Sequence, residues 1–370
     1  MKRIRFLAYS DIHHDRKAAR CITLDDTVNL ESQIHHYIRD GGFDFSVFGG
    51  DRYLKREPED EVKVRADVAL LSARQGERAV PHFHLVGNHD WTKNDRGWHT
   101  SESLKYLMDS DQYLFVMDTP ESITCGNAVI HSLPADVPFD MANYQVDPER
   151  FNLFIFHNVV RGSFIADNSD AVFQDGIAVS EIDRPEWDFV LGGDVHVPQQ
   201  IPFRNTRGGY LGAVLQRTRA DADQERGWLE VTATNNGSGW EVETEFKPTR
   251  NFFHRETWEV GPDTKFEDIR IDERYVDDQA VEVKLVGDRK DVDRVADDPK
   301  WANYTDIMMA RSIEIIRDYK VQQKEAVVDL TSSTNAVDDL GIYLGSGFAN
   351  IGNLNQDKIF EVLQRMLQEG

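Results

Sequence analysis

Short apolar runs recur through the first half of the chain: Ile4–Ala8, Phe43–Phe48, His82–Val86, Leu153–Phe156 and Trp187–Leu191. Runs of this length, bounded by glycine, asparagine and aspartate, predict buried strands. Helical patterns separate the early ones. From about Val28 to Arg39, Leu30, Ile34 and Ile38 fall on one stripe, with Asp26 or Thr27 as N-cap and Gly41 at the end; a second helix is predicted from about Glu61 to Arg74, before Gly76. Strand and helix in alternation predict an α/β layered fold. Further on, Trp228–Thr234 and Trp240–Phe246 alternate around a glycine-containing turn and predict a hairpin. The pattern then runs strand (Glu256–Val260), helix (Phe266–Glu273), strand (Ala280–Val286), helix (Asp291–Ala296) and strand (Ile307–Ile316). Residues 329–340 are polar and turn-rich, and Gln356–Glu369 places Ile359, Val362, Leu363, Met366 and Leu367 on one helical face. The predicted organisation is therefore a main domain over 1–248, a smaller α+β unit over 249–328, and a linker with C-terminal helix over 329–370.

The polar residues at the end of each apolar run carry the chemistry. Ala8 leads to Asp11 and His13; Phe48 to Gly49, Gly50 and Asp51; Val86 to Gly87, Asn88, His89 and Asp90; Phe156 to His157 and Asn158; Leu191 to Gly192, Gly193, Asp194 and His196. In open α/β sheets ligands bind beyond the carboxyl ends of the strands, so five strands deliver polar groups to one edge. Carboxylate and imidazole donors on such loops can hold two divalent cations about 3.5–4 Å apart, the arrangement used to hydrolyse phosphoesters. Each motif alone is weak, since D-x-H arises by chance in an acidic chain and a lone His157 is what a satisfied core histidine gives; their order and common position carry the signal. His35 and His36 fall beside a helical apolar stripe, where solvent-facing or packing roles are expected rather than ligation, and His82 and His84 lie within a strand, where structural roles are expected.

Charge narrows the partners. The 370 residues carry a formal net charge of −23, which argues against broad attraction to polyphosphates. Arg52, Lys55 and Arg56 beside one ligand loop, and Arg204, Arg207, Arg217 and Arg219 after the last, are the local basic groups available for phosphate contacts. With only Cys21 and Cys125, no apolar run of membrane-spanning length, and an N-terminal apolar stretch broken by Arg5 and closed by Asp11, the expected compartment is the cytoplasm.

In order, D-x-H, G-G-D, G-N-H-D, a strand-end H-N and G-D-x-H resemble the calcineurin-like metallophosphoesterase superfamily over about residues 1–200. The resemblance implies a four-layer α/β fold, a β-sandwich flanked by helices. It implies one metal held by Asp11, His13, Asp51 and His196 and another by Asp51, Asn88, His157 and Asp194, with Asp51 bridging. His89 would act on the scissile phosphate and Asp90 would orient its imidazole. The superfamily usually has histidine at the position of Asp194; three carboxylates would leave two divalent ions with a formal charge of about +1. Mn²⁺ is the expected metal, with Mg²⁺ the alternative. The stretch from Gly193 to Gln216, followed by Gly227–Val231 and the alternating unit beyond it, resembles the SbcD nuclease family. That resemblance implies DNA as substrate, a capping unit, a homodimer, and a coiled-coil ABC ATPase of the SbcC type docked on the C-terminal helix. Leu54 stands where many of those nucleases carry histidine or aspartate. A phosphomonoesterase or small-molecule phosphodiesterase, which the acidity favours, and a catalytically decayed scaffold are the competing expectations.

Overall fold

In the computed structural model the described residues are 1–17, 22–74, 80–92, 99–100, 104–105, 113–165, 171–218, 221–222, 224–271, 279–301 and 312–320. The chain divides into Met1–Asp318, which carries both large sheets and the site, and Tyr319–Gly370. The predicted linker and C-terminal helix lie outside the described residues, as do Cys21 and Arg219.

Two six-stranded mixed sheets face each other. The first is built from β1 (Lys2–Tyr9), β2 (Phe45–Phe48), β3 (His82–Leu85) and β4 (Leu114–Met117), all parallel, extended by the antiparallel pair β11 (Gly227–Asn235) and β12 (Trp240–Pro248). The second has the order β5 (Glu121–Cys125), β6 (Ala128–Leu133), β7 (Phe151–His157), β8 (Phe189–Gly193), β10 (Gly208–Tyr210) and β9 (Gln199–Gln200), with parallel pairing from β6 through β10. Between them Phe6, Ala8, Phe45, Val47, Phe83 and Leu85 of one sheet meet Ile130, Phe151, Leu153, Ile155 and Leu191 of the other in one buried core. Phe6 and Phe45 stack with centroids 4.7 Å apart. Burying a phenylalanine contributes roughly 1.5–3 kcal/mol, so this layer fixes the register of both sheets.

Helix α1 (Leu24–Asp40) starts earlier than the pattern predicts, because Thr23 and Asp26 form a reciprocal capping box. It ends at Gly41 as expected. Its buried face is Leu24, Thr27, Glu31, Ile34, His35 and Ile38, whereas Leu30 is only partly buried. Helix α2 (Asp60–Arg74) matches its prediction closely. A third sheet of β13 (Phe253–Val260), β14 (Ala280–Gly287) and β15 (Ser312–Tyr319) comes after the hairpin. The helix Arg289–Ala296 packs Val292 and Val295 into that sheet's own core. Over its described residues, 266–271, the helix predicted at Phe266–Glu273 is a single 3₁₀ turn at Phe266–Asp268, where Ile269 and Ile271 turn inward to the same core and Lys265 caps the turn without a side-chain bond. Among the described residues, no helix is long and apolar enough to cross a membrane.

Candidate metal centre

Parallel pairing of β1, β2 and β3 in one sheet and of β7 and β8 in the other puts five carboxyl ends at one edge, where the predicted ligands meet. Asp11, His13 and His196 form one group whose donor atoms lie within 4.8 Å of one another; His13, Asp51 and His89, and Asp11, Asp51 and His157, form two more. Asp51 and Asp11 each belong to two groups, so the sets are contiguous. Asp51 Oδ1 stands 3.2 Å from His157 Nε2 and its Oδ2 3.7 Å from His13 Nε2. Asp194 Oδ1 lies 3.9 Å from His157 Nε2 and accepts a hydrogen bond from Asn88 Nδ2 at 3.2 Å. His13 and His196 approach Nε2 to Nε2 at 3.1 Å.

The backbone is bent to achieve this. Asp11, His13, Asp51 and Asp194 all have φ between 50° and 82°, and Asp136 is the one other non-glycine residue with positive φ among those described. Such conformations cost of order 1–3 kcal/mol each and persist where surrounding structure imposes them. Glycines make the room: a Cβ on Gly87 would strike the Asp51 carboxylate, and one on Gly50 or Gly193 would strike the His157 ring.

One loop holds the centre together. Carbonyls of residues 49–54 accept from three imidazoles: Gly49 from His157 Nδ1 at 2.7 Å, Tyr53 from His13 Nδ1 at 3.4 Å, and Leu54 from His89 Nδ1 at 2.6 Å. Fixing Nδ1 as the donor leaves Nε2 of each ring for a metal or a substrate. The same loop receives the backbone of the first ligand segment, with Asp11 N–H donating to Gly50 and His13 N–H to Asp51. Sequence patterning reveals none of this, because a carbonyl has no residue signature.

The expected pairing of Asp90 with the His89 ring is not seen. The buried Asp90 carboxylate instead accepts from the N–H groups of Arg52 (3.1 Å), Tyr53 (3.3 Å) and Gly87 (2.9 Å), tying the two loops to each other. The geometric reason is that His89, whose own N–H donates to Asp51 at 2.8 Å, turns its Nδ1 to Leu54. Two basic candidates for phosphate contact are likewise buried. Arg52 donates to Glu31 at 3.1 and 3.2 Å and to Asp67, with His14 completing the cluster against Glu31 at 3.0 Å. Arg217 donates to the carbonyls of Ile12 and His13 behind the first ligand segment. Lys55 pairs with Asp15 at 2.9 Å, and Arg204 and Arg207 are exposed. The signal that could have exposed Arg52 is Glu31, an acid on the buried face of α1. His35, His82 and His84 are buried structural groups, His35 bonded to Tyr9 and His82 to Ser46.

Electrostatics mark the centre as built for cations. Burial, reinforced by Asp51, pushes the Asp11 carboxyl up to about 8, and burial raises Asp194 as well. Burial opposes a charged His157, but Asp51 outweighs it and holds the imidazole well above its usual value; the same pairing keeps Asp51 low. Burial and then Arg217 bring His196 down to about 4 and lower His13. Both oxygens of Asp11 and Oδ1 of Asn88 are buried without a hydrogen-bond partner among the described residues. A buried polar atom left so costs about 1–3 kcal/mol. Three of them among hard oxygen and imidazole donors fit two divalent cations.

An α/β sandwich with a His/Asp dimetal centre at its strand ends defines a metal-dependent phosphoesterase. Residues 4–200 match the calcineurin-like phosphoesterase family, and the chain belongs to it. Among solved structures it is similar to a dimetal phosphatase from Danio rerio (12% identity, TM-score 0.40, covering 66% of this chain and 98% of that one). It is also similar to a purple acid phosphatase from yellow lupin seeds (14%, 0.39, 66% and 53%) and to a phosphopantetheinyl hydrolase from Mycobacterium tuberculosis (13%, 0.32, 56% and 88%). No curated protein matches the chain.

Proposed function

We propose that this chain is a dimetal phosphomonoesterase acting on small phosphate esters. The observation that carries the reading is where its basic side chains go. Arg52 and Arg217, two of the basic side chains that flank the ligand loops in sequence, are buried and bonded to Glu31, Asp67 and backbone carbonyls, while the net charge is −23. A groove for a long polyanion needs several exposed cations along its path; a single phosphoryl group needs only the centre itself.

Asp11, His13, Asp51 and His196 would hold one divalent ion, and Asp51, Asn88, His157 and Asp194 the other. Such a pair, when bound, supplies charge neutralisation at the phosphoryl oxygens and activation of water at neutral pH. The chain's own residues do the rest. Asn88, His89, Asp194 and His196 are half-buried while Asp11, His13, Asp51 and His157 are buried, so the ester enters over the first four. With Nδ1–H committed to Leu54, His89 presents Nε2 to the reacting group and, protonated there, donates to the departing oxygen.

The test is hydrolysis of glycerol 2-phosphate with Mn²⁺, an alkyl ester whose departing oxygen needs a proton. His89→Ala should lower kcat by about 10²–10⁴-fold, the usual contribution of a general acid, with metal stoichiometry unchanged. A mutant rate within a factor of about two would remove His89 from the chemistry. A DNA nuclease of the SbcD type is the second reading, favoured by the three-stranded unit β13–β15 placed after the hairpin as a cap would be. Degradation of linear duplex DNA without turnover of monoesters would select it.

A further inference from the structure

The fifth left-handed residue has no part in the metal ligation. Asp136 (φ 60°) comes just after β6, the strand beside β7 in the second sheet, and so stands on the same edge as His157 and Asp194. Its segment is tied to the centre from two sides. Ala135 N–H donates to the Val86 carbonyl, at the start of the loop carrying Asn88 and His89, and Asp136 N–H donates to Asn158 Oδ1 at 3.2 Å, next in sequence to His157. Asn158 in turn donates to the Pro134 carbonyl at 3.3 Å. Asp136 is exposed, and its carboxylate has no hydrogen bond or ion pair among the described residues. A non-glycine residue held in the left-handed region, anchored through its amide and with its carboxylate left over, is a fixed negative charge on the rim.

Resting on the phosphomonoesterase reading, we propose that Asp136 is a specificity-determining residue: it selects phosphate esters whose organic part is cationic or neutral over those bearing a further anion. The phosphoryl group itself would be drawn past it by the cations that the centre would hold. A second anionic group on the same ester meets Asp136 with no such compensation. In water a pair of unit charges a few ångströms apart interacts by about 1 kcal/mol, about fivefold in an equilibrium constant. Salt weakens this over a Debye length of about 8 Å at physiological ionic strength.

Three esters of similar size separate the charge of the organic part from everything else: phosphoethanolamine, glycerol 2-phosphate and 2-phosphoglycerate. With Mn²⁺, wild-type protein should rank them in that order by kcat/KM, in steps of about three- to fivefold at low salt. Asp136→Asn should flatten the series while leaving glycerol 2-phosphate within about twofold, and Asp136→Lys should reverse it. High salt should bring wild type and Asp136→Asn together. Calorimetric binding of the same three esters should give the same order independently of turnover. A wild-type series that is flat, or one that Asp136→Asn leaves unchanged, overturns the assignment of Asp136. If wild-type protein neither hydrolyses nor binds any of the three, the phosphomonoesterase reading falls first and this inference with it.

Discussion

Replacing Asp51 by asparagine is expected to abolish phosphoesterase activity and to weaken binding of both metals. Asp51, like Asp11, is a carboxylate shared between two of the donor groups, and it stands 3.2 Å from His157 and 3.7 Å from His13. Its backbone sits in the left-handed region at φ 58°, and Oδ1 also accepts the His89 N–H at 2.8 Å. Asparagine keeps the volume and one acceptor, so the fold should survive. It removes one negative charge from a position that no neighbour replaces. Groups that merely orient ligands are worth about 10- to 100-fold in metal affinity or activity, and a shared ligand should exceed that range. Calorimetric titration with Mn²⁺ would show affinity reduced by more than about 100-fold at both sites. An Asp51→Asn protein that binds two ions with near wild-type affinity would mean that Asp51 is not the bridge.

The second large effect concerns stability. Glu31→Gln should destabilise the protein by on the order of 3 kcal/mol, because breaking one side of a buried ion pair is strongly destabilising and leaves Asp67 alone to face the Arg52 charge. Glu31 is 1% exposed and faces Arg52, which is wholly buried, and His14, which is also buried. Burial alone would raise its carboxyl, but Arg52 and then His14 bring it well below the usual carboxylate range. A folded-state value below the unfolded one means that the pair's contribution is present above the unfolded pKa near about 4.3 and is lost as pH falls through the folded value. The melting temperature should therefore drop by roughly 6–12 °C at neutral pH, and the gap from wild type should narrow in acid. Because Arg52 is the neighbour of Asp51 in the chain, the same mutant should also bind Mn²⁺ about 10- to 100-fold more weakly. A neutral-pH melting temperature equal to that of wild type would show that the cluster is not what braces the loop.

The ligand positions were legible because the chemistry forces a pattern. A parallel strand that ends in a metal ligand reads as an apolar run followed by Asp, His or Asn, often with glycine where backbone and side chain must pass closely, as at Gly50 and Gly87. Helix α2 and the hairpin β11–β12 were legible for a similar reason, having clean periodicity and a glycine-bearing turn. Strands β4, β5 and β6 were not anticipated. Glu121–Cys125 buries little, and Ala128–Leu133 hides His131 and Ser132 within a strand buried on both faces. The partners of Asp90, Arg52 and Arg217 were not legible because composition cannot tell an exposed charged group from one whose partner lies on another element. The anchoring of three imidazoles by Gly49, Tyr53 and Leu54 was invisible, since any residue supplies a carbonyl.

Crystals grown with Mn²⁺ and measured at the manganese absorption edge test the central claim most directly. The account predicts two anomalous peaks about 3.5–4 Å apart, flanking Asp51, with His13 and His196 on one and His157 and Asn88 on the other. A single peak, or none among these residues, would contradict it.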